Sequence, residues 1–550
     1  MITDMANHVN ADNTLPDLMT STLQNAALMQ ANTIATLENI IADQKEMIAT
    51  REERIQLLLR QKYCSRSEKL KLAENGQLNL FDEISAPIPE EPEPETTLVP
   101  AHERKKKGGG RRALPDDLMR IRREYILEGA ELDCAACGEQ MAEIGEETSE
   151  QLEIIPAVAY VVEHAVKKYA CKHCEECIKQ ANKPNQPIPK SIAGPGLLSH
   201  IIVSKFCDSL PLYRQESILR RSGVDLDRSR LCQWLKHCAK LLSPLVLLLR
   251  GKILVYDVSF ADETTVQVLK EVGRKAQKQS YMWVFSGGQP EQFSIVYRYY
   301  PGRNGVVATD FFEGYEGYLH ADGYVGYNPV CSKKTKRIGC WGHTRRYFVD
   351  VLKGLSKDRK PGLADEALAR IGKLYKIERQ AKKEKLPPDK IKALRQKESK
   401  PILEDFKLWL EKYKPKTSSK MLIGKAIRYA LNHWPSLLLY LEDGRLEIDN
   451  NRSERMMKAF AVGRKNWMFY DQVAGAEAGA IYYSLIETCK HHGIDPYLWM
   501  RYALKMIPLV TTPEALLPYN CDPNVLKQDL EQDRQNVLSK LYELTTADKE

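Results

Sequence analysis

The sequence predicts a multidomain protein of the α plus α/β class. Helical and small metal-stapled modules should fill the N-terminal half, followed by an α/β domain whose mixed central sheet is split by a helical insertion. Three observations predict this. Apolar residues recur in heptad spacing over residues 34 to 58, and two C-x2-C pairs lie between short β-rich runs near residues 134 to 174. From residue 252 the texture changes from helical to alternating strands, then back to helices. At 550 residues the chain can hold several domains, each burying its own core.

The heptad positions are Ile34, Leu37, Ile41, Ile48, Ile55 and Leu58, with Gln44 and Arg51 filling polar gaps. Residues 20–75 therefore read as a coiled-coil helix that pairs with a second copy, or as an amphipathic helix packed on its own protein. Residues 76–125 read as a disordered linker in two halves. Ser85 to Pro100 holds five prolines, four glutamates and no basic residue. Arg104, Lys105, Lys106, Lys107, Arg111 and Arg112 follow directly, around three glycines and with no acid among them. Such a basic run suits phosphate binding, the alternative being a contact with the acidic half of the linker.

Residues 126–180 hold Cys134, Cys137, Cys171 and Cys174, two pairs separated by 33 residues. Four thiolates in two pairs suit one tetrahedral Zn²⁺, and Val158–Val162 and Val166–Ala170 read as the strands of a zinc ribbon. The spacing is longer than the commonest ribbon pattern, so His173 and Cys177 stay open as substitute ligands. Residues 190–250 read as helical and DNA-binding. Ser217 to Leu235 has helix-turn-helix rhythm, with Gly223 at the turn and Arg228 and Arg230 opening the second helix, where that motif meets bases and phosphates. A plain helical hairpin is the other reading.

The α/β domain divides into 251–350 and 446–515, with a charged helical insertion at 351–445 and a tail at 516–550. Ile253–Tyr256, Thr265–Leu269, Tyr281–Phe285, Ser294–Arg298 and Gly317–Ala321 read as strands, and Arg345–Leu352 as a helix. Asp449–Lys458 reads as a helix start that Asn450 or Asn451 could cap. Three acids stand beside basic or amide residues at these elements: Asp262, Asp322 and Glu454, at intervals of 60 and 132 residues. In an RNase H-like core one aspartate lies on the first strand, one after a later strand, and an acid on a following helix. That order fits these three. Carboxylate oxygens are the ligands Mg²⁺ prefers, and two such ions can stabilise the attacking and leaving oxygens of an in-line phosphoryl transfer. His343, Arg345, Arg346, Arg455, Arg464 and Lys465 would hold DNA. Asp257 stays open as the first acid, Glu263 as a further ligand and Glu487 as the late acid.

The net charge is +8 and clustered, with a second acid-free basic run between Ser332 and Arg346. No secretory leader is legible, the 13 cysteines are an odd number, and the longest apolar run, near Leu241–Leu249, is far too short to span a bilayer. A cytoplasmic protein with reduced thiols and no membrane contact is expected.

At these motifs the chain resembles the large transposase of the insertion sequence 66 family. The matching residues are Asp262-Glu263-Thr264, Leu319 to Tyr327 around His320-Ala321-Asp322-Gly323-Tyr324, and Gly339 to Arg346. Further along they are Asp449-Asn450-Asn451 with Glu454-Arg455, Gly463 to Trp467, Ser484 to Thr488, and Gly493 to Pro496. Ser67-Glu68-Lys69-Leu70 and the cysteine pairs also look like the family, so the resemblance runs from about 30 to 520. It implies a bacterial aspartate–aspartate–glutamate transposase that is nucleoid-associated when bound. Such an enzyme cuts and joins double-stranded DNA at terminal inverted repeats. It would use two catalytic Mg²⁺ and one structural Zn²⁺, as a homodimer or higher oligomer beside small accessory proteins. It assigns the three acids to Asp262, Asp322 and Glu454, over Asp257 and Glu487. Thr265 departs from the proline often found after the Asp-Glu-Thr motif. A non-catalytic zinc-containing DNA-binding protein is the alternative, and a tyrosine or serine recombinase, acting through a covalent adduct, is a third reading without matching motifs.

Overall fold

The computed structural model describes residues 185–331, 334–353 and 361–547, together with 159–170, 178–182 and scattered positions between 29 and 55. The chain divides into two units, the smaller covering 90–180 and 222–224. In it, β1 (Lys168–Ala170) and β2 (Ile178–Gln180) form an antiparallel hairpin that pairs Ala170 with Ile178. Residues 159–167 carry no strand, although Val158–Val162 was expected to be one. Cys134, Cys137, Cys171, Cys174, His173, Cys177 and the basic run Arg104–Arg112 all lie outside the described residues.

In the larger unit the described positions between 29 and 55 are helical, and Ile34, Leu37, Ile41, Ile48 and Ile55 of the heptad are each about half exposed. The described chain enters the sheet through α1 (Pro195–Phe206), α2 (Leu212–Arg221) and α3 (Arg228–Val255). Gly223 turns the chain with φ +80°, where a Cβ would be strained, and Asp227 caps α3 by accepting from the Arg230 amide at 3.0 Å. α3 runs through Ile253–Val255, which the sequence reading made a strand. Leu242, Leu245, Leu249 and Ile253 are fully buried at helical spacing, so the apolar run continues a helix face. A short apolar run cannot by itself distinguish the two.

The sheet holds β3 (Val258–Lys270), β4 (Gln279–Gly287), β5 (Ser294–Tyr300), β6 (Gly317–His320), β7 (Thr335–Ile338) and β8 (Tyr470–Gln472). Its order is β5-β4-β3-β6-β7, the first three antiparallel and the last two parallel to β3. A short helix, α4 (Val306–Phe311), links β5 to β6. α5 (Trp341–Lys353) leads into the insertion, made of α6 (Leu363–Lys383), α7 (Pro388–Leu394), α8 (Lys400–Tyr413), α9 (Leu422–Asn432) and α10 (Trp434–Leu438). α11 (Asn451–Trp467), α12 (Val473–His491), α13 (Pro496–Met506) and α14 (Pro523–Ala547) complete the chain.

β3 is the organising strand. One edge pairs with β4 continuously from Ser259 to Gln267. The other pairs with β6 at Val258–Phe260 and with β8 at Val268 and Lys270, leaving a stretch between them without a strand partner. α11 fills that gap. Asn450, just before it, donates Nδ2 to the Ala261 carbonyl at 2.9 Å, and Arg464, near its end, donates to the Thr265 carbonyl. Two strand carbonyls, that of the buried Ala261 and that of the half-buried Thr265, are thus satisfied by side chains rather than by a strand. At the outer edge, α12 does the same for β5: Ser484 Oγ accepts from the Tyr297 amide at 2.8 Å and Thr488 Oγ1 from the Ile295 amide at 3.2 Å. That protects an edge strand from pairing with another chain.

The insertion is locked to the chain ahead of α11 by Arg395, which is 2% exposed. Its guanidinium grips both oxygens of Glu378 at 2.8 and 2.7 Å and donates to the carbonyls of Tyr440, Asp443 and Leu446 at 2.7–3.0 Å. Arg395→Ala would strand Glu378 and three carbonyls without their partner. A loss of about 3–5 kcal/mol is expected in urea unfolding; a loss below about 1 kcal/mol would contradict this role.

Candidate active site

Asp262 sits mid-strand on β3, paired across to Val284. It is half-buried, with its carboxyl group enclosed by neighbours. Burial holds that carboxyl well above the usual carboxylate range, and the negative charges of Glu263, Asp322 and Glu454 push it the same way. The Glu263 amide donates to Asp262 Oδ1 at 2.9 Å and partly offsets the shift. Asp322 follows β6 and accepts from the Tyr324 amide at 2.9 Å. Glu454 lies in the first turn of α11, where the helix dipole favours a negative charge. Asp262 on β3 is thus within electrostatic range of Asp322, just after β6, and of Glu454, on α11.

Glu263 is engaged differently. Neighbours on a strand face opposite sides. Its carboxylate, 2% exposed, accepts from Arg303 at 2.6 and 2.8 Å and from the Tyr327 hydroxyl at 2.5 Å. Arg303 in turn lies 3.9 Å over the Tyr324 ring, so this cluster braces the segment after Asp322. Asp257 is bound by Arg445 through two contacts of 2.8 Å, at the junction of α3 and β3. Glu487 pairs with Lys490 at 2.9 Å on α12. The three charges with the largest effect on Asp262 are instead those of Glu263, Asp322 and Glu454.

The surroundings of Glu454 come from α5 and the insertion. Arg346 approaches both its oxygens at 3.4 Å, and His343 Nδ1 lies 3.8 Å away with no hydrogen-bond partner. Burial holds the His343 imidazole below its usual range, with Arg346 adding to the shift and Glu454 and Asp322 opposing it. Asn450 does not cap α11 with its side chain, as the sequence suggested; its amide goes to Ala261 instead. Asp449, 6% exposed, accepts from Asn451 Nδ2 at 2.6 Å and from the Tyr375 hydroxyl of α6 at 2.9 Å. A Cβ at Gly323, beside Asp322, would lie 2.9 Å from His433 Nε2 and 3.0 Å from the Tyr429 hydroxyl. The insertion thus supplies Tyr375, Tyr429 and His433 to the neighbourhood of the acids. Lone residues inside charged helices gave no sign of this in the sequence.

The other cationic candidates are dispersed. Arg455 and Lys465 are exposed on α11. Arg464 is engaged with Thr264 and Thr265 of β3. Arg228 and Arg230 open α3, and Arg230 lies 3.8 Å from Asp227. Arg345 is half-buried on α5.

The donor set suits a hard divalent cation: three carboxylates, of which Asp262 is held above the usual range first by burial and then by its negative neighbours. Among the described residues no three metal-ligating side chains already stand at ligating distance of one another. Glu454 would have to exchange Arg346 for the ion.

Comparison with known proteins decides the family. A profile described as "Transposase IS66 family" matches residues 190–478, more than half of the chain. The chain belongs to the IS66 transposase family. The IS66 zinc-finger binding domain matches 131–175, spanning all four paired cysteines. A profile described as "Transposase C of IS166 homeodomain" matches 52–123, and the IS66 C-terminal element matches 484–519. Three relatives come from Sinorhizobium fredii (strain NBRC 101917 / NGR234). The uncharacterized protein y4jD is 35% identical over 425 residues, 74% of this chain and 81% of its own. The uncharacterized protein y4qI is 31% identical over 513 residues, 90% and 93% respectively. The uncharacterized protein y4hP is 30% identical over 501 residues, 86% and 88%. This family membership makes the chain a transposase with DNA-binding modules, one of them of the zinc-finger kind. No helix among the described residues is long and apolar enough to cross a membrane.

Proposed function

We propose that this IS66 transposase binds the terminal inverted repeats of its element and cuts and joins DNA strands by Mg²⁺-dependent phosphoryl transfer. Asp262, Asp322 and Glu454 would hold the metal. The observation that carries this reading is the charge environment of Asp262, which registers Asp322 and Glu454 from other elements. The RNase H-like assignment draws support from the first acid lying on the central strand, the second just after a parallel neighbour, and the third on a later helix.

Bound Mg²⁺ would supply an activated water or 3′-hydroxyl and neutralise charge on the transferring phosphate. The protein's own groups do the rest. Arg346 neutralises Glu454 until the ion takes its place, with His343 3.8 Å from the same carboxylate. Glu263, fixed by Arg303 and Tyr327, anchors the segment after Asp322. Arg455, Lys465, Arg345 and the Arg228–Arg230 turn would contact backbone phosphates, and the Arg104–Arg112 run would add affinity. Cys134, Cys137, Cys171 and Cys174 would hold one Zn²⁺ in a ribbon. The exposed heptad Ile34–Ile55 would pair with a second copy, giving a dimer or higher assembly that works with small accessory proteins at the nucleoid.

The test uses a labelled end of the element. With Mg²⁺ the purified protein should cleave the end or join it to target DNA, and with Ca²⁺ it should bind without cutting. Saturated binding with no cleavage in Mg²⁺, even beside the accessory proteins, would favour a non-catalytic DNA-binding role.

A further inference from the structure

α11 ends in an unusual way. Met468 has φ 64° and ψ −50°, a region L-residues rarely adopt, and the Phe469 amide donates to the Trp467 carbonyl at 2.8 Å. Together these define a γ-turn of the strained hand, centred on a methionine where glycine would be relaxed. Packing does not explain it: Met468 is 68% exposed and Phe469 45% exposed. The turn holds two large apolar side chains out in solvent at the end of a helix.

The helix leading to that tip is basic on its outer face. Arg455, Lys458, Val462 and Lys465 succeed one another at spacings of three and four, on one side of the helix, opposite the buried Met456, Phe460 and Gly463. No acid lies between Glu454 and Asp471. Such a stripe complements a phosphate backbone, and apolar side chains at the end of a basic contact are what proteins use to prise apart stacked base pairs.

Resting on the transposase reading above, we infer that Met468 and Phe469 form a wedge that enters between base pairs of the bound DNA end while the outer face of α11 follows its backbone. Glu454 lies at the start of the same helix. Fourteen residues at about 1.5 Å each place the tip roughly 20 Å from it, or about six base-pair steps. The wedge would unstack the end at that distance from the phosphate that is cut.

The test uses the full-length protein, Ca²⁺ and element-end duplexes carrying 2-aminopurine at successive positions over roughly the first ten base pairs, at saturating protein. The wild type should raise fluorescence several-fold at one step, about six from the scissile phosphate. A Met468→Ala/Phe469→Ala double variant should lose that rise and cleave more slowly in Mg²⁺. An abasic site placed at that step should restore its cleavage. Both positions are exposed, and a melting curve confirms that the variant is folded. The wedge is overturned if the rise survives in the double variant, which would leave the tip to a protein partner. It is also overturned if the wild type binds and cuts with no rise anywhere. A wild type that neither binds nor cuts the end overturns the transposase reading as well.

Discussion

Asp262→Asn is expected to abolish strand cleavage and joining while making the protein slightly more stable. The carboxylate is enclosed and repelled by Glu263, Asp322 and Glu454, so removing its charge relieves a burial cost in the metal-free protein. The melting temperature should rise by a few degrees. Cleavage should fall by on the order of 10³-fold or more, because a charge-stabilising group at the reacting centre is lost. Asp322→Asn and Glu454→Gln should be about as inactive, and the triple variant hardly worse, as expected of groups that act as one unit. Binding to the DNA end should persist in all of them. The contrast variants are Asp257→Asn and Glu487→Gln. Asp257 belongs to a half-exposed ion pair with Arg445, so its loss should cost about 1 kcal/mol or less and leave cleavage intact. Cleavage retained by Asp262→Asn, or lost on Asp257→Asn in a folded protein, would reverse the choice between the two aspartates.

The second large effect is expected at Asn450, which touches no acid directly. It is 1% exposed, and its amide links the start of α11 to the carbonyl of Ala261, the residue before Asp262. That bond fixes Glu454, four residues further on, relative to the central strand. Asn450→Ala should slow cleavage by about 10–100-fold, the usual cost of losing a group that orients a ligand. It should also cost about 1–3 kcal/mol, since a buried carbonyl is left without a donor. Asn450→Asp should be worse, because an ionised carboxylate cannot donate to the carbonyl. Single-turnover cleavage and urea unfolding, measured on the same samples, separate the two effects. If stability falls while the single-turnover rate holds, Asn450 is a packing residue only.

The sequence announced what is local and kept hidden what is not. Asp262, Asp322 and Glu454 stood out because each lies in a short motif of unusual composition. The strands at Thr265–Leu269, Tyr281–Phe285 and Ser294–Arg298 were legible from β-branched and aromatic runs, and all three lie within longer observed strands. Ile253–Tyr256 misled because an apolar run at the end of a long helix looks like a buried strand until its spacing back to Leu242 is counted. Asn450 misled for a related reason. An asparagine before a helix reads as a cap by local propensity, whereas here a strand carbonyl without a strand partner claims its amide. The contributions of Tyr375, Tyr429 and His433 depend on how the insertion packs, which no periodicity in a charged helical stretch reveals. Ser484 and Thr488 were visible as a motif, but their purpose emerges only with β5 beside them.

The central claim is that three carboxylates on separate elements hold one metal centre. Iron-directed cleavage of the protein tests it most directly. Fe²⁺ occupies sites of this kind in place of Mg²⁺, and with ascorbate and peroxide it cuts the polypeptide beside its ligands. The expected result is three cuts, near residues 262, 322 and 454, suppressed together by excess Mg²⁺ and absent from Asp262→Asn. Cutting at only one of these places, or an unchanged pattern in Asp262→Asn, would contradict a shared centre.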